Sequence, residues 1–187
     1  MIDHFGLSAT FYDRFIGRPD FGKLCRMLRL PAKGRMLDAG GGTGRVAAHL
    51  RKLVDHLVVL DASGKMLAQA RHRDLAAVAA HAEHLPFPDA HFDRILVTDA
   101  LHHFRDQQAA IREFARVLSP GGLLAVEEPD IRRFPVKLVA VAETLLMMRS
   151  HFHSPVQIRE MMARSGLSAR TDGGPVFRAW ITGEKPV

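Results

Sequence analysis

An acidic residue and a run of glycines form the segment most suited to chemistry. It has the sequence Met36-Leu37-Asp38-Ala39-Gly40-Gly41-Gly42-Thr43-Gly44. Glycine adopts positive φ and lets a ligand approach the main chain closely. Apolar residues precede the glycines as in a β-strand, and helical spacing follows over residues 43–53. Because a helix start presents free N–H groups and a positive dipole end, the segment predicts a ligand-binding turn.

The carboxylate of Asp38 distinguishes two classes of ligand. Gly42, Gly44 and Ala47 alone also satisfy the dinucleotide fingerprint G-x-G-x-x-A. A negative charge ahead of the first glycine repels a pyrophosphate. It attracts S-adenosylmethionine (SAM), which carries an ammonium and a sulfonium and no phosphate. We therefore predict SAM as the cofactor and S-adenosylhomocysteine as its product, with NAD as the alternative.

A second carboxylate, Asp61, ends the next apolar run, about twenty positions after the glycines. A carboxylate there accepts hydrogen bonds from both ribose hydroxyls of a nucleotide. The alternative role is a cap for the helix predicted over residues 63–73, to which Ser63 is better suited. We predict the ribose role for Asp61.

Histidines supply the candidate groups on the acceptor side. His102 and His103 follow the fourth predicted strand, where ligand-facing residues of parallel sheets collect. Methyl transfer depends mainly on in-line approach and exclusion of water, but an acceptor oxygen or nitrogen that carries a proton needs a general base. We name His102 and His103 as candidate catalytic residues, with loop packing as the alternative. No metal is predicted, because four other histidines match no zinc spacing: His81, His84, His151 and His153.

Short apolar runs that alternate with helical patterns must position these groups. This alternation predicts βαβ units and a parallel sheet covered on both faces. Pro120-Gly121-Gly122 is predicted to end the third helix and start the fifth strand. Residues before 35 are predicted to fold as a helical lid over the open edge of the sheet. The predicted strands are 35–37, 57–60, 76–80, 94–98 and 123–126, the helices 43–53, 63–73, 107–118, 136–148 and 154–164, and the closing hairpin 167–171 with 176–182.

Length and composition favour a single domain. The 187 residues are 47% apolar, enough for a core without disulfide support. Cys25 is the single cysteine, and neither an export pattern nor a membrane-length apolar run is present, so we expect a cytoplasmic protein. The net charge of +6 is scattered among carboxylates, which favours a solvated basic surface over a nucleic-acid partner.

Five segments, in this order, resemble the class I SAM-dependent methyltransferases, in the group that includes the ubiquinone/menaquinone biosynthesis C-methyltransferases. They are residues 37–44, 60–67, 82–93, 101–104 and 117–122. The resemblance implies an α/β, Rossmann-like fold: a seven-stranded, mostly parallel sheet with helices on both faces and a C-terminal antiparallel hairpin. Within a single domain, 1–187, we expect an N-terminal lid (1–34), a cofactor-binding core (35–127) and acceptor-side helices with the hairpin (128–187).

The resemblance also implies roles for individual residues. Members of the group often carry Asp or Asn at the position of His81, to accept a hydrogen bond from the adenine; here the unprotonated nitrogen of a neutral His81 accepts it, or Glu83 substitutes. Tyr12 lies in an aromatic segment that resembles a lid closing on the sulfonium by cation–π contact, with packing of the lid as the alternative. The implied cofactor set is Asp38, Gly40 and Gly42 at the methionine part, Asp61 at the ribose, Ala62, Met66, Ala82 and Glu83 at the adenine, and Asp99 near the methyl group.

Acceptor recognition is predicted to involve an apolar wall in the segment 130–152. The wall is rich in methionine, and such walls adapt to varied shapes. Because the segment is short, a small-molecule acceptor is favoured over a protein or RNA. The alternative is a non-catalytic SAM-binding or partner-subunit module of the same fold. The predicted wall consists of Leu145, Leu146, Met147, Met148 and Phe152.

Overall fold

The computed structural model describes residues 20–133, 136, 150–172 and 177–187. Seven strands form one sheet in the order β3-β2-β1-β4-β5-β7-β6. Strands β1 to β5 pair in parallel, and β7 pairs antiparallel with both β5 and β6. The predicted fold class and closing hairpin are therefore confirmed. The strands are β1 Arg35–Ala39, β2 His56–Asp61, β3 Ala76–Ala79, β4 Phe92–Thr98, β5 Leu118–Pro129, β6 Ser168–Asp172 and β7 Arg178–Glu184.

Most of the described helices begin at side-chain caps that their sequences supply. Ser63 accepts a hydrogen bond from the amide of Met66, and Asp106 accepts one from the amide of Ala109. Ser154 forms a capping box with Gln157, which confirms the predicted helix start there. The described helices are α1 Phe21–Met27, α2 Ala47–Leu50, α3 Gly64–Arg71, α4 Gln107–Val117 and α5 Pro155–Arg164. None in the described part of the chain is long and apolar enough to cross a membrane.

Side chains of successive strand residues point to opposite faces, so the sheet carries two hydrophobic clusters. One face packs Leu37, Ile95 and Leu124 against α4 and α5. The other packs Met36 and Leu96 of the central strands against α1, α2 and α3. We call the second face the α1 face. Both faces are covered, which fixes the strand register and holds the carboxyl ends of β1, β2 and β4 at one edge.

The N-terminal segment was predicted to cover the open edge of the sheet, and its described part does not. Leu24 and Leu28 are fully buried in the cluster of the α1 face, and Leu28 O accepts a hydrogen bond from Arg94 Nε. Residues 20–34 therefore pack on a face, because their apolar side chains meet the central strands. Residues 1–19, with Tyr12, lie outside the described residues.

Two predicted boundaries are wrong. The helix predicted over residues 43–53 is shorter in the structure. Its counterpart α2 begins only at Ala47, after Gly44 with φ of 71°, and a 3-10 turn follows over Arg51–Leu53. Pro120-Gly121-Gly122 does not separate a helix from a strand, because β5 starts directly after α4. Those three residues lie in a bulge of β5, where Gly121 N and Gly122 O bond to the backbone of Lys185. The predicted helix 136–148 lies outside the described residues except for Val136.

Candidate cofactor and acceptor site

A pocket of about 430 Å³ lies at the carboxyl ends of β1, β2 and β4. Parallel sheets bind ligands at this edge. Every described residue that the sequence predicted for the cofactor lines this pocket, and so does His103, whereas Tyr12 lies outside the described residues. Their individual roles stay predictions. The cofactor residues in the lining are Asp38, Gly40, Gly42, Asp61, Ala62, Met66, Ala82, Glu83 and Asp99.

The glycine turn meets two different requirements. Gly40 has φ of 72°, and a Cβ there would stand 2.5 Å from the Cβ of Ala100. The glycine therefore lets the turn after β1 pack against the loop after β4. Gly42 has φ of 54°, and the nearest atom to a Cβ there is Asp61 Oδ2 at 3.9 Å. A side chain at Gly42 would enter the pocket, so this glycine keeps the backbone open to a ligand.

Asp38 carries the main electrostatic feature of the site. Its side chain is 1% exposed, and Oδ2 has no hydrogen-bond partner among the described residues. Burial, together with the negative charge of Asp61, raises the pKa of Asp38 to about 7. A buried carboxylate oxygen without a partner is costly unless a cation or donor reaches it. The ammonium of SAM fits this requirement, whereas a pyrophosphate would add a like charge.

Asp61 lies at the end of β2, and its carboxylate joins the glycine turn to the start of α3. Oδ2 accepts a hydrogen bond from Gly42 N at 3.0 Å, and Oδ1 accepts one from Ser63 N at 2.8 Å. Each oxygen retains a second lone pair. Burial raises the pKa of Asp61, and the hydrogen bonds from the backbone amides oppose this shift. Ser63 is the N-cap of α3, so the helix-cap alternative for Asp61 is wrong.

The side of the pocket that was predicted for the adenine contains an unexpected loop contact. Glu83 Oε1 accepts hydrogen bonds from Arg105 N at 2.8 Å and from Asp106 N at 3.2 Å. Glu83 thus joins the loop after β3 to the start of α4, a role that its sequence position did not indicate. His81 lies in the pocket wall and is exposed.

The two candidate catalytic histidines occupy different positions. His102 is 1% exposed and does not line the pocket; its Nδ1 lies 2.5 Å from Glu128 Oε2, and Phe152 stacks on its ring. His103 lines the pocket, with Nδ1 3.2 Å from Ser150 Oγ. Burial and then the charge of His102 lower the pKa of His103 to about 3. His103 is therefore a neutral imidazole that faces the pocket. His102 lies buried behind the pocket lining and packs against it.

Glu128 is a structural residue of this wall that the sequence analysis missed. Its Oε1 accepts hydrogen bonds from Ala100 N at 2.9 Å and Leu101 N at 2.8 Å, while Oε2 contacts His102. The side chain is 3% exposed. The signal in the sequence was the acidic pair, Glu127 and Glu128, at the end of an apolar strand: two carboxylates in such a position have to be satisfied internally.

Replacing Glu128 tests how strongly it supports the wall. We expect Glu128→Ala to lower the free energy of unfolding by about 3–5 kcal/mol, because it leaves two amides and a histidine buried without their partner. Urea denaturation measures the change. Glu184→Ala is the matched control, because it removes an exposed carboxylate paired with Arg29, and its unfolding curve should stay close to that of the wild type. A loss below about 1 kcal/mol for Glu128→Ala would contradict the assignment.

The fold and the site together define a class I, Rossmann-like domain with a pocket at the carboxyl ends of its parallel strands. Residues 37–126 match the family model described as methyltransferase domain. Residues 37–126 are thus a methyltransferase domain, and SAM is the cofactor that this class of domain uses. In the described part of the chain no group of three or more metal-ligating side chains is present.

Similar proteins agree with this assignment. The ubiquinone/menaquinone biosynthesis C-methyltransferase of Pseudomonas fluorescens is 42% identical over 105 residues, which cover 50% of this chain and 41% of that protein. The chain therefore matches less than half the length of this relative. A SAM-dependent methyltransferase of Thermotoga maritima has the same fold, with a TM-score of 0.77, 23% identity and 97% of both chains covered. One from Mesorhizobium loti has a TM-score of 0.76, 19% identity and 90% and 99% coverage.

Proposed function

We propose that this protein transfers the methyl group of SAM to a small, partly apolar acceptor molecule. The observation that carries the proposal is the buried Asp38 carboxylate, which lacks a hydrogen-bond partner at Oδ2 among the described residues and lies beside an open glycine turn. Of the cofactors that the fold accommodates, SAM supplies both a positive charge for Asp38 and ribose hydroxyls for Asp61.

SAM, when bound, supplies an electrophilic methyl group on a sulfonium. The residues of the chain then bind and orient. Asp38 would attract the ammonium, and Asp61 would accept hydrogen bonds from the ribose while it holds the backbone at Gly42. The apolar residues Ala62 and Met66 would contact the adenine. Such a pocket acts mainly by holding the methyl group in line with the acceptor and by excluding water.

On the acceptor side, we propose that His103 contacts the acceptor and that His102 positions it. A neutral imidazole accepts one hydrogen bond and donates another, so His103 suits an uncharged polar group such as a phenol. The relatives named as ubiquinone/menaquinone biosynthesis C-methyltransferases also favour methylation at carbon. Tyr12 as a lid residue, the cytoplasmic location and the absence of a nucleic-acid partner stay predictions.

The alternative is a module that binds SAM without converting it. The exposed His81, at a position where members of the group often carry Asp or Asn, favours it. Turnover separates the two functions, because a module of this kind binds SAM and forms no S-adenosylhomocysteine.

A binding and turnover experiment tests the proposal. We expect titration calorimetry to show SAM binding in the micromolar range and NADH to show none, because a pyrophosphate meets the charge of Asp38. Labelled SAM incubated with a metabolite extract should yield S-adenosylhomocysteine and a labelled small molecule. An absence of SAM binding at millimolar ligand would refute the proposal, and binding without turnover would favour the alternative.

A further inference from the structure

The chain segment 150–152 is attached to the loop after β4 by several contacts. His151 N donates a hydrogen bond to His102 O at 2.8 Å, and the ring of Phe152 stacks on that of His102 with centroids 4.4 Å apart. Gln107 Nε2 donates a hydrogen bond to His151 O at 2.6 Å, which joins the same segment to the start of α4. These contacts fix the position of the segment relative to the pocket.

Ser150, the first residue of this segment, is thereby held beside His103. Ser150 Oγ lies 3.2 Å from His103 Nδ1, within the range of a hydrogen bond. The ring of His102 lies against that of His103, with centroids 4.0 Å apart. The imidazole of His103 is therefore held at Nδ1 by a hydroxyl and at its ring by a second imidazole.

The position of Ser150 indicates which edge of the His103 ring faces the pocket. His103 lines the pocket and Ser150 does not. The Nδ1 edge of the ring is thus turned toward a residue outside the lining. The opposite edge carries Nε2, the other polar atom of the ring, and it is the edge that His103 presents to the pocket.

The hydroxyl of Ser150 is the donor in this hydrogen bond. Among the described residues it has no partner other than His103 Nδ1, so donation to Nδ1 is the bond that uses its proton. A neutral imidazole carries one proton, and the nitrogen that accepts a hydrogen bond is the one without it. Burial keeps His103 neutral, because it lowers the pKa of this residue to about 3. The proton of the ring is therefore on Nε2.

We propose that Ser150 is a positioning residue, which donates a hydrogen bond to Nδ1 of His103 and thereby directs the Nε2–H group of His103 to the methyl acceptor. The inference rests on the proposed methyl transfer and adds the acceptor's chemistry. His103 acts as a hydrogen-bond donor and not as a general base, so it binds an acceptor through an oxygen lone pair, such as that of a phenol or a carbonyl group. An analogue without this oxygen leaves Nε2–H unpaired, which is how a binding site rejects such analogues.

Nitrogen NMR spectroscopy of the labelled histidine side chains tests the bond between Ser150 and His103 in the free protein. His103→Asn identifies the resonances of His103 by removing them. We expect the proton on Nε2, and an Nδ1 resonance typical of a nitrogen that accepts a hydrogen bond. Ser150→Ala should move the Nδ1 resonance to the position of a nitrogen without that bond, and Ser150→Thr, which keeps a hydroxyl, should restore it. Ser165→Ala is the matched control, because that hydroxyl forms its hydrogen bond at the end of α5, and it should leave both nitrogens unchanged.

Two probes of the same shape test the Nε2–H group in protein saturated with S-adenosylhomocysteine. Acetophenone carries a carbonyl oxygen where α-methylstyrene carries a CH2 group. We expect acetophenone to shift the Nε2–H resonance of His103 more than the Nδ1 resonance, and α-methylstyrene to shift neither. Ser150→Ala should weaken acetophenone binding by roughly three- to tenfold, without changing the affinity for S-adenosylhomocysteine.

The outcomes separate this inference from the proposed function. An absence of S-adenosylhomocysteine binding by the wild type would refute the proposed function. With that binding retained, three results would overturn the role of Ser150 alone: a proton on Nδ1 of His103, an Nδ1 resonance that Ser150→Ala does not move, or an Nε2–H resonance that millimolar acetophenone does not shift.

Discussion

Asp61→Ala should lower the affinity for SAM by at least about hundredfold. The carboxylate is expected to accept hydrogen bonds from two ribose hydroxyls, and each bond to a charged group contributes about 1.5–3 kcal/mol. The substitution also releases the amides of Gly42 and Ser63, so the glycine turn loses a constraint that shapes it for the ligand. Titration calorimetry of SAM measures the effect.

The control for Asp61 is another aspartate that accepts a hydrogen bond from a glycine amide, but outside the pocket. Asp55 Oδ2 accepts a hydrogen bond from Gly34 N at 2.8 Å, before β1 begins and so away from the carboxyl ends of the strands. Asp55→Asn should leave SAM affinity within about twofold of the wild type. Asp61→Asn keeps one acceptor oxygen and should show an intermediate loss. A folded Asp61→Ala protein with wild-type affinity would remove Asp61 from the ribose role.

The part of the site that the sequence predicted is the part that depends on local patterns. The glycine turn follows an apolar strand directly, and Asp61 ends the next one, so the position of each could be inferred from a few neighbouring residues. Parallel strands then bring their carboxyl ends to one edge without further information. This is why residues as distant in sequence as Asp38 and Asp99 meet in one pocket.

The parts that were missed depend on contacts between distant segments. Pro120-Gly121-Gly122 has the composition of a turn, but its backbone pairs with Lys185 near the end of the chain and so becomes a bulge. His102 and His103 are adjacent in sequence and equal in type. Only the 3-10 turn over Leu101–His103 and the Glu128 carboxylate decide which of them faces the pocket.

The pairing of β4 with β5 shows the same limit more clearly. Thr98 and Glu127 belong to different strands, and they are level with each other only because β4 and β5 pair in one register. A shift of one residue would turn Glu127 to the other face. Their relation is therefore a property of the sheet, and no pattern within either strand predicts it.

The second large effect concerns the charge of Asp38 and the pH. The pKa of Asp38 in the free protein is about 7, and the ammonium of SAM favours the ionised carboxylate. Below pH 7, binding must therefore release a proton from Asp38, and SAM affinity should fall by up to about tenfold for each pH unit. Above about pH 8 the ammonium itself deprotonates, so pH 5 to 7 is the informative range.

The variant Asp38→Asn shows how much of the proton release on SAM binding comes from Asp38. At pH 6, calorimetry in two buffers of different ionisation enthalpy should show that the variant releases about one proton fewer than the wild type on binding SAM. At pH 7.5, its affinity should be lower by at least about tenfold, because a neutral amide replaces the buried charge.

Asp38→Asn should weaken SAM binding but stabilise the free protein. The pKa of Asp38 is raised above its unfolded value of 3.8, so ionisation costs the folded state nothing below about pH 4 and its full penalty above about pH 7. Unliganded Asp38→Asn should consequently melt at a higher temperature than the wild type at pH 8, and the difference should disappear near pH 4. A variant that binds SAM as well as the wild type, with the same proton release, would show that the charge ahead of the glycine turn does not select the cofactor.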